Sequence, residues 1–311
     1  MFDFIGKGRW FAIPSVILII VGIVSLGVFG LERGIEFSGG SLVRVNFAHA
    51  VERDGVVAAF VDAGHGEARV QGDPFDPSRF TIRTKVITAE EFASIKDKLQ
   101  GLSPFAADPT LDTVSPQVSG EKVRGAIIAI ILTCVGILIY VTLAFRRLPK
   151  SVRYGTCAII ALVHDVVIPL GLFALLGVWF NMEINLMFIA AMLAVLGYSV
   201  NNTVVVFDRI RENLTKDRGQ DLAYVANKSL NETLGRTLNS TLTTLFAMVA
   251  LYIYTGFNAP DFQNFILALL IGIVAGAYGS IFLSSWLLVV WDRGKWSGLW
   301  QRMTSPVKVK S

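Results

Sequence analysis

The chain has 311 residues, 53% of them hydrophobic and only 17% charged, with a mean hydropathy of +0.57, which argues against an ordinary soluble domain. The net charge of +4 does not imply nucleic-acid binding, because the Lys and Arg lie beside apolar runs where membrane orientation and anionic headgroups account for them. The two cysteines, Cys134 and Cys157, fall inside apolar runs and read as space-fillers; they staple no exported domain, and no metal-ligand spacing is present.

A transmembrane helix needs roughly 17–25 apolar residues to cross ~30 Å of hydrocarbon. Six spans meet that test: 11–30, 123–145, 154–178, 184–207, 238–255 and 265–291. The first is too long and glycine-rich for a signal peptide, and no small-residue cleavage site stands out after it, so it reads as a retained anchor. The last is long enough to tilt or to end along the interface.

Between the first two spans, residues 31–122 read as a folded α+β domain. Residues 41–47 alternate like a strand, 51–63 carry apolar residues at helical spacing, and 67–71 form a short strand candidate. Residues 79–85 alternate again, and 88–99 open with a Thr-x-x-Glu capping box, Thr88 to Glu91. An extended piece, 110–118, returns to the membrane. This β-α-β-β-α-β order predicts a small ferredoxin-like sandwich with no catalytic constellation. His49 and His65 read as surface histidines. Gly34, Gly39 and Gly40, in its neck, permit positive-φ turns and form a candidate hinge.

Short loops set the orientation. Lys7 and Arg9 precede the first span; Arg146, Arg147, Lys150 and Arg153 join the second to the third. Arg209, Arg211, Lys216, Arg218 and Lys228 follow the fourth, and Arg293, Lys295 and Arg302 follow the sixth. The opposite loops, 179–183 and 256–264, contain no Lys or Arg. By the positive-inside rule both termini are cytoplasmic and residues 31–122 lie outside. The predicted organisation is therefore 1–30, cytoplasmic start and first span; 31–122, extracytoplasmic domain; 123–291, five-span bundle; and 292–311, cytoplasmic tail.

Polar side chains inside the spans carry the functional signal, because hydrocarbon offers them no water and they must face protein or an aqueous cavity. Asp165 sits near the middle of the third span and needs a partner or a proton, which makes it a candidate ion-coupling acid. His164 adjoins it, but neighbouring helix positions diverge, so it is expected to pack elsewhere. The fourth span contributes two amides, Asn201 and Asn202, and two hydroxyls, Ser199 and Thr203. On the fifth, Arg236, Asn239, Ser240, Thr243 and Thr244 follow i, i+3, i+4, i+7, i+8 spacing and share one face, a polar seam from which Arg236 is positioned to neutralise Asp165 or attract a partner's carboxylate. Packing is the competing reading for Asn202, and interfacial anchoring for Arg236. The cluster Asp208 to Asn213 reads as a stop-transfer anchor between helices. Gly272, Gly276 and Ser280 repeat every four residues, a small-residue packing face within the bundle or against a partner.

Four motifs together carry a resemblance. They are Phe2-Asp3-Phe4-Ile5-Gly6-Lys7; Gly34-Ile35-Glu36-Phe37-Ser38-Gly39-Gly40; the run from Gly197-Tyr198-Ser199-Val200-Asn201-Asn202-Thr203 to Asp208-Arg209-Ile210-Arg211-Glu212-Asn213-Leu214; and Ser229 to Thr244. Over essentially the whole chain they resemble SecF, the membrane subunit family of the bacterial Sec protein-export machinery. That resemblance implies half of an RND-type transporter, a six-helix bundle that pairs with SecD about a pseudo-twofold axis in the bacterial inner membrane. It further implies association with the SecYEG channel, with YajC and YidC as candidate neighbours, and an ion-driven pull on the translocating preprotein. No cofactor, no metal, no nucleic acid and no catalytic residue is implied. Family members usually have an aspartate, thought to bind the proton, where this chain has Asn202, and a functionally important arginine that matches Arg236. An amide cannot titrate, so the coupling ion stays open between proton and sodium. Two alternatives stay beside this reading: a stand-alone RND-type exporter working as a homodimer, and a structural half-subunit with no ion conduction of its own.

Overall fold

The first span forms a single helix, α1 (Gly8–Val28), of 21 residues. At 1.5 Å per residue it is about 31 Å long, enough to cross the hydrocarbon. Its only buried residues are small, Gly8, Ser15, Gly22 and Ser25, while Ile13, Ile17, Ile20 and Ile23 are exposed. That is the reverse of a soluble helix and suits a lipid-facing one. This computed structural model describes residues 1–73, 76–146, 148, 151–180, 182–217, 219–255 and 260–294. Arg147, Lys150, Asn181, Arg218, Lys295, Arg302, loop residues 256–259 and most of the predicted tail lie outside them. Two compact units result, Met1–Glu32 with Ala129–Ser311, and Arg33–Ile128.

The second unit follows the alternation in its sequence. In chain order it holds α2 (Ile35–Ser38), β1 (Gly40–Phe47), α3 (Arg53–Val61), β2 (Arg69–Gly72), β3 (Arg79–Thr84), α4 (Ala89–Gln100) and β4 (Phe105–Val114). The sheet runs β2-β3-β1-β4 with every neighbour antiparallel, which is the ferredoxin-like order predicted from the sequence. Val43, Val45 and Phe47 of β1 point inward with Ile82 of β3, and α3 and α4 cover them with Val56, Phe60, Ile95 and Leu99. The capping box forms: the Glu91 amide donates to Thr88 Oγ1 at 3.3 Å, and the Thr88 amide donates to Glu91 Oε2 at 2.8 Å.

Three details differ from expectation. β4 starts at Phe105 and ends at Val114, because Phe105 pairs with Phe47 across register shifts in β1 and Pro116 opens the next helix. Gly39 and Gly40 take positive φ (72° and 118°), but Gly34 sits at φ −61°, where any residue fits. A Cβ on Gly40 would lie 2.5 Å from the Thr84 carbonyl oxygen, so this glycine is needed for close strand approach. His65 is only 7% exposed, with Nδ1 3.3 Å from Thr84 Oγ1, so it is no surface histidine; His49 is exposed as expected.

The remaining helices are α5 (Pro116–Ala144), α6 (Val152–Phe180), α7 (Leu186–Lys216), α8 (Leu222–Thr255) and α9 (Pro260–Tyr278), then a π-turn (Gly279–Leu283) and α10 (Ser284–Asp292). Together with α1 they supply six candidate membrane spans, the sixth being the α9–π–α10 run. About half of each span of α6, α7 and the sixth is buried, whereas α1, α5 and α8 are mostly exposed. The first three form the centre of the bundle.

Helix lengths exceed the apolar runs. α7 continues nine residues past Phe207 because the charges beyond it pair at helical spacing, Arg211 with Asp208 at 2.6 Å and Lys216 with Glu212 at 2.6 Å. α8 begins at Leu222, well before residue 238, with Ala223, Val225, Ala226 and Leu230 buried in the core. Small residues set the close approaches. A side chain on Gly171 of α6 would collide with Gly22 of α1; one on Gly272 would collide with Val195 of α7; and one on Gly276 would lie 3.1 Å from Ser199 Cβ. The small-residue face of the sixth span thus packs against α7, inside the bundle.

Candidate functional site

Asp165 lies on α6 with no exposed surface. Its Oδ1 is 2.8 Å from His164 Nδ1, and Ser199 Oγ of α7 donates to its Oδ2. The expectation that His164 packs elsewhere is therefore wrong. The backbone directions of adjacent residues do diverge, but the imidazole arm is long enough to curl back over its neighbour's carboxyl. Its ring also stacks on Tyr278, 6.5 Å between centroids.

A chain of hydroxyls leads away from the carboxyl. Ser280 Oγ is 3.2 Å from Ser199 Oγ and donates to the Ser199 carbonyl at 2.9 Å, while Thr203 Oγ1 donates to Ser280 Oγ at 2.9 Å. Ser199, Thr203 and Ser280 are all buried. They meet at the π-turn, where the Ser284 amide bonds to the Gly279 carbonyl five residues back and Ser284 Oγ donates to the Ser280 carbonyl at 2.7 Å. Gly279 makes room for the carboxyl: a Cβ there would collide with Asp165 Oδ1 and lie 3.2 Å from His164 Nδ1. Sequence reading counted Ser199 and Thr203 as the two hydroxyls of the fourth span but took Ser280 only as a packing residue and gave Gly279 no role. Their signal was small polar residues one to two turns apart on two facing spans.

The other predicted residues do not join this cluster. Asn202 is 4% exposed, yet its Nδ2 has no hydrogen-bond partner among the described residues. Asn201 is exposed. Arg236, Asn239, Ser240 and Thr243 do share a face of α8, but it points out of the bundle, because the opposite face, Leu230, Thr233, Thr237 and Thr241, is the buried one. Arg236 therefore does not neutralise Asp165 within this chain. It lines an open pocket of about 280 Å³ with Val205, Asp208, Arg209, Glu212, Glu232 and Thr233. The hydroxyls of Thr243 and Thr244 donate back to the carbonyls of Asn239 and Ser240, at 2.7 and 3.0 Å, which satisfies them without a neighbour.

The charged end of α7 acts as a clamp on α8. Arg209 Nε and Asn213 Nδ2 both reach Glu232 Oε2, at 2.6 and 2.7 Å. On the same part of α8, Asn227 Oδ1 accepts from the amides of Phe4 and Ile5, and Asn231 Oδ1 from that of Phe2, while both amide nitrogens donate to the Phe2 carbonyl. These two asparagines, one helical turn apart, hold the amino-terminal segment like an added strand edge. Sequence reading assigned them nothing.

A multi-span membrane protein emerges, with a six-span helical bundle as one compact unit, a ferredoxin-like unit as the other, and a buried carboxyl among hydroxyls at a broken helix. Comparison with known proteins narrows that class. The SecD/SecF protein-export membrane protein C-terminal family matches residues 94–294, and the SecD/SecF GG motif matches residues 24–51. The chain belongs to the SecD/SecF family of protein-export membrane proteins.

Its relatives include protein translocase subunit SecF of Thermobaculum terrenum, 38% identical over 94% of this chain and 96% of that one. The SecF subunit of Anaerolinea thermophila is 34% identical over 98% and 99%. Among solved structures, SecDF of Thermus thermophilus, described as a translocon-associated membrane protein, matches with a TM-score of 0.81 at 30% identity. The match covers 94% of this chain and 39% of that one, so the chain spans about two-fifths of the SecDF molecule.

Proposed function

We propose that this protein is an accessory subunit of the Sec translocase that pairs with a SecD subunit and promotes the late, ion-gradient-driven stage of preprotein export. One observation carries the pairing: Asn239, Ser240 and Thr243, in line with Arg236 at the pocket it shares with α7, form a polar stripe on a membrane span that is exposed among the described residues. Left against acyl tails, Asn239 would cost several kcal/mol in lost hydration, so a second bundle closes that face. In the SecDF relative of Bacillus subtilis this chain's match occupies only 38% of the molecule, which supports a second half supplied here by a separate subunit.

The protein sits in the bacterial inner membrane with both termini in the cytoplasm and unit Arg33–Ile128 outside, near the SecYEG channel. It performs no chemistry of its own; it converts ion movement into motion. Asp165 is the intramembrane acid of that coupling. Asn202, fixed in an uncharged form, serves as a hydrogen-bonding residue at the seam, and Arg236 offers its charge to a carboxylate of the partner. Gly39 and Gly40, both at positive φ, are the candidate hinge in the neck of the outer unit.

The pairing is tested with a photo-crosslinking residue at Asn239 in membranes that contain co-expressed SecD. A crosslink to SecD is expected. A crosslink only to a second copy of this chain would favour the homodimeric exporter and overturn the pairing.

A further inference from the structure

We propose that Asn227 and Asn231 form a peptide-binding site at the amino-terminal end of α8, filled by residues 2–5 of the same chain, and that this strap sets the direction in which the polar stripe of α8 faces. The site stands on its own geometry; its consequence for the stripe rests on the pairing with SecD.

The site reads backbone. Asn227 Oδ1 accepts from the amides of Phe4 and Ile5 at 2.8 and 3.2 Å, and its Nδ2 donates to the Phe2 carbonyl at 3.0 Å. Asn231 Oδ1 accepts from the Phe2 amide at 2.9 Å, and its Nδ2 donates to the Phe2 carbonyl at 2.9 Å. A side-chain amide offers one acceptor and one donor group, the pair that a neighbouring strand offers an extended peptide. Apolar side chains add selectivity. Phe4 is buried against Phe11 of α1 and Phe282 of the π-turn, with centroids 6.1 and 5.7 Å away, and Ile5 is buried beside it. The ligand is therefore an extended peptide with an aromatic and an aliphatic side chain in succession.

A tight turn keeps the strap close to its site. The Gly6 amide donates to Asp3 Oδ1 at 2.8 Å, and a Cβ on Gly6 would collide with that carboxylate. Two residues later α1 begins, so the tether is short and the effective concentration of the strap is high.

Position on the helix gives the strap its consequence. The buried residues of α8 run from Ala223 to Thr241, and beyond Thr241 only Thr255 is buried. A helix of 34 residues, about 51 Å long, is thus fastened by its first half, and rotation there redirects everything beyond. α7 fastens one face: Asn213 Nδ2 donates to Ser229 Oγ at 3.0 Å and to Glu232 Oε2 at 2.7 Å. At about 100° per residue, Ser229 and Glu232 are centred on the same side as Arg236, Asn239, Ser240 and Thr243. Asn227 and Asn231 lie roughly 150° away, on the back of the stripe. Clamp in front and strap behind together fix the rotation of α8 about its own axis.

The test compares the full-length protein with a variant lacking residues 2–5, both in mild detergent, using a labelled synthetic peptide of residues 1–9. The shortened chain is expected to bind the peptide at least about tenfold more tightly than the intact chain, whose site is filled. In the full-length chain, Asn227→Leu combined with Asn231→Leu is expected to speed amide exchange at residues 2–5 by about tenfold and to leave the centre of α7 unchanged. Exchange that stays as slow as in wild type would overturn the site, as would equal peptide affinity for the two chains. The stripe is read by photo-crosslinking from position 239 to co-expressed SecD. That crosslink is expected to fall at least about fivefold in the shortened chain and to return when the peptide is added. A crosslink missing from the intact protein would remove the pairing; one present there and untouched by the deletion would overturn the hold of the strap on the stripe and leave the pairing standing.

Discussion

A carboxyl at mid-bilayer costs roughly 2.5–3.5 kcal/mol on insertion scales, and Asp165 meets that cost with three devices. His164 and Ser199 hydrogen-bond it, the Ser199–Ser280–Thr203 chain extends the polar network, and Gly279 leaves it space. Gly279 is the most exposed to test. Gly279→Ala forces a methyl against Asp165 Oδ1, an overpacking that costs about 1–3 kcal/mol. The variant is expected to assemble, to unfold at a lower midpoint and to lose most export; wild-type export and midpoint together would mean that this contact is not tight. Composition alone made Asp165 legible, since a lone acid in an apolar run has few explanations. His164 was not legible, because spacing gives backbone directions and not side-chain reach. Arg236 was legible as part of a stripe, but whether that stripe turned toward Asp165 or toward a partner was not, because a stripe has no absolute direction until the opposite face is known to be buried.

Helix and strand types followed from periodicity, and their ends did not. Hydropathy stops where charge begins, yet the i, i+3 and i, i+4 ion pairs of Asp208 to Lys216 carry α7 on for more than two turns. The capping box of α4 was legible because its chemistry is local. Thr88→Ala removes a cap and is expected to destabilise α4 by about 1 kcal/mol, seen as roughly fivefold faster amide exchange in that helix. The effect depends on pH. The Thr88 amide and hydroxyl hold the Glu91 carboxyl below its ordinary value of 4.5. A folded-state pKa below the unfolded one contributes stability that is complete above about 4.5 and disappears as pH falls through the lower, folded value. The difference between wild type and Thr88→Ala should therefore shrink in acid. A gap in exchange rates that stays constant from pH 7 to pH 3 would contradict the box.

For the molecule as a whole, the uneven burial of its spans is the informative quantity. α1 and α5 show apolar side chains to their surroundings, as lipid-facing helices do, whereas α8 exposes a polar stripe, Arg236, Asn239, Ser240 and Thr243, beside apolar side chains such as Leu242, Phe246 and Ile253. The amino-terminal segment, tied to α8 by Asn227 and Asn231, holds the base of that helix against the bundle. Ferredoxin-like order and span number were readable from one sequence because both rest on period and length. The hydroxyl cluster was not, since it depends on the π-turn that brings Ser280 to face Ser199 and Thr203.

Ion coupling through Asp165 is the claim on which the rest turns. Inverted membrane vesicles loaded with a preprotein stalled after the ATP-driven step offer the most direct measurement, with completion of translocation timed after an ion gradient is imposed. Wild-type vesicles should finish at least about tenfold faster with the gradient than without, a difference of 1.4 kcal/mol in barrier, and Asp165→Asn vesicles should show no acceleration. Equal acceleration in both would contradict the mechanism.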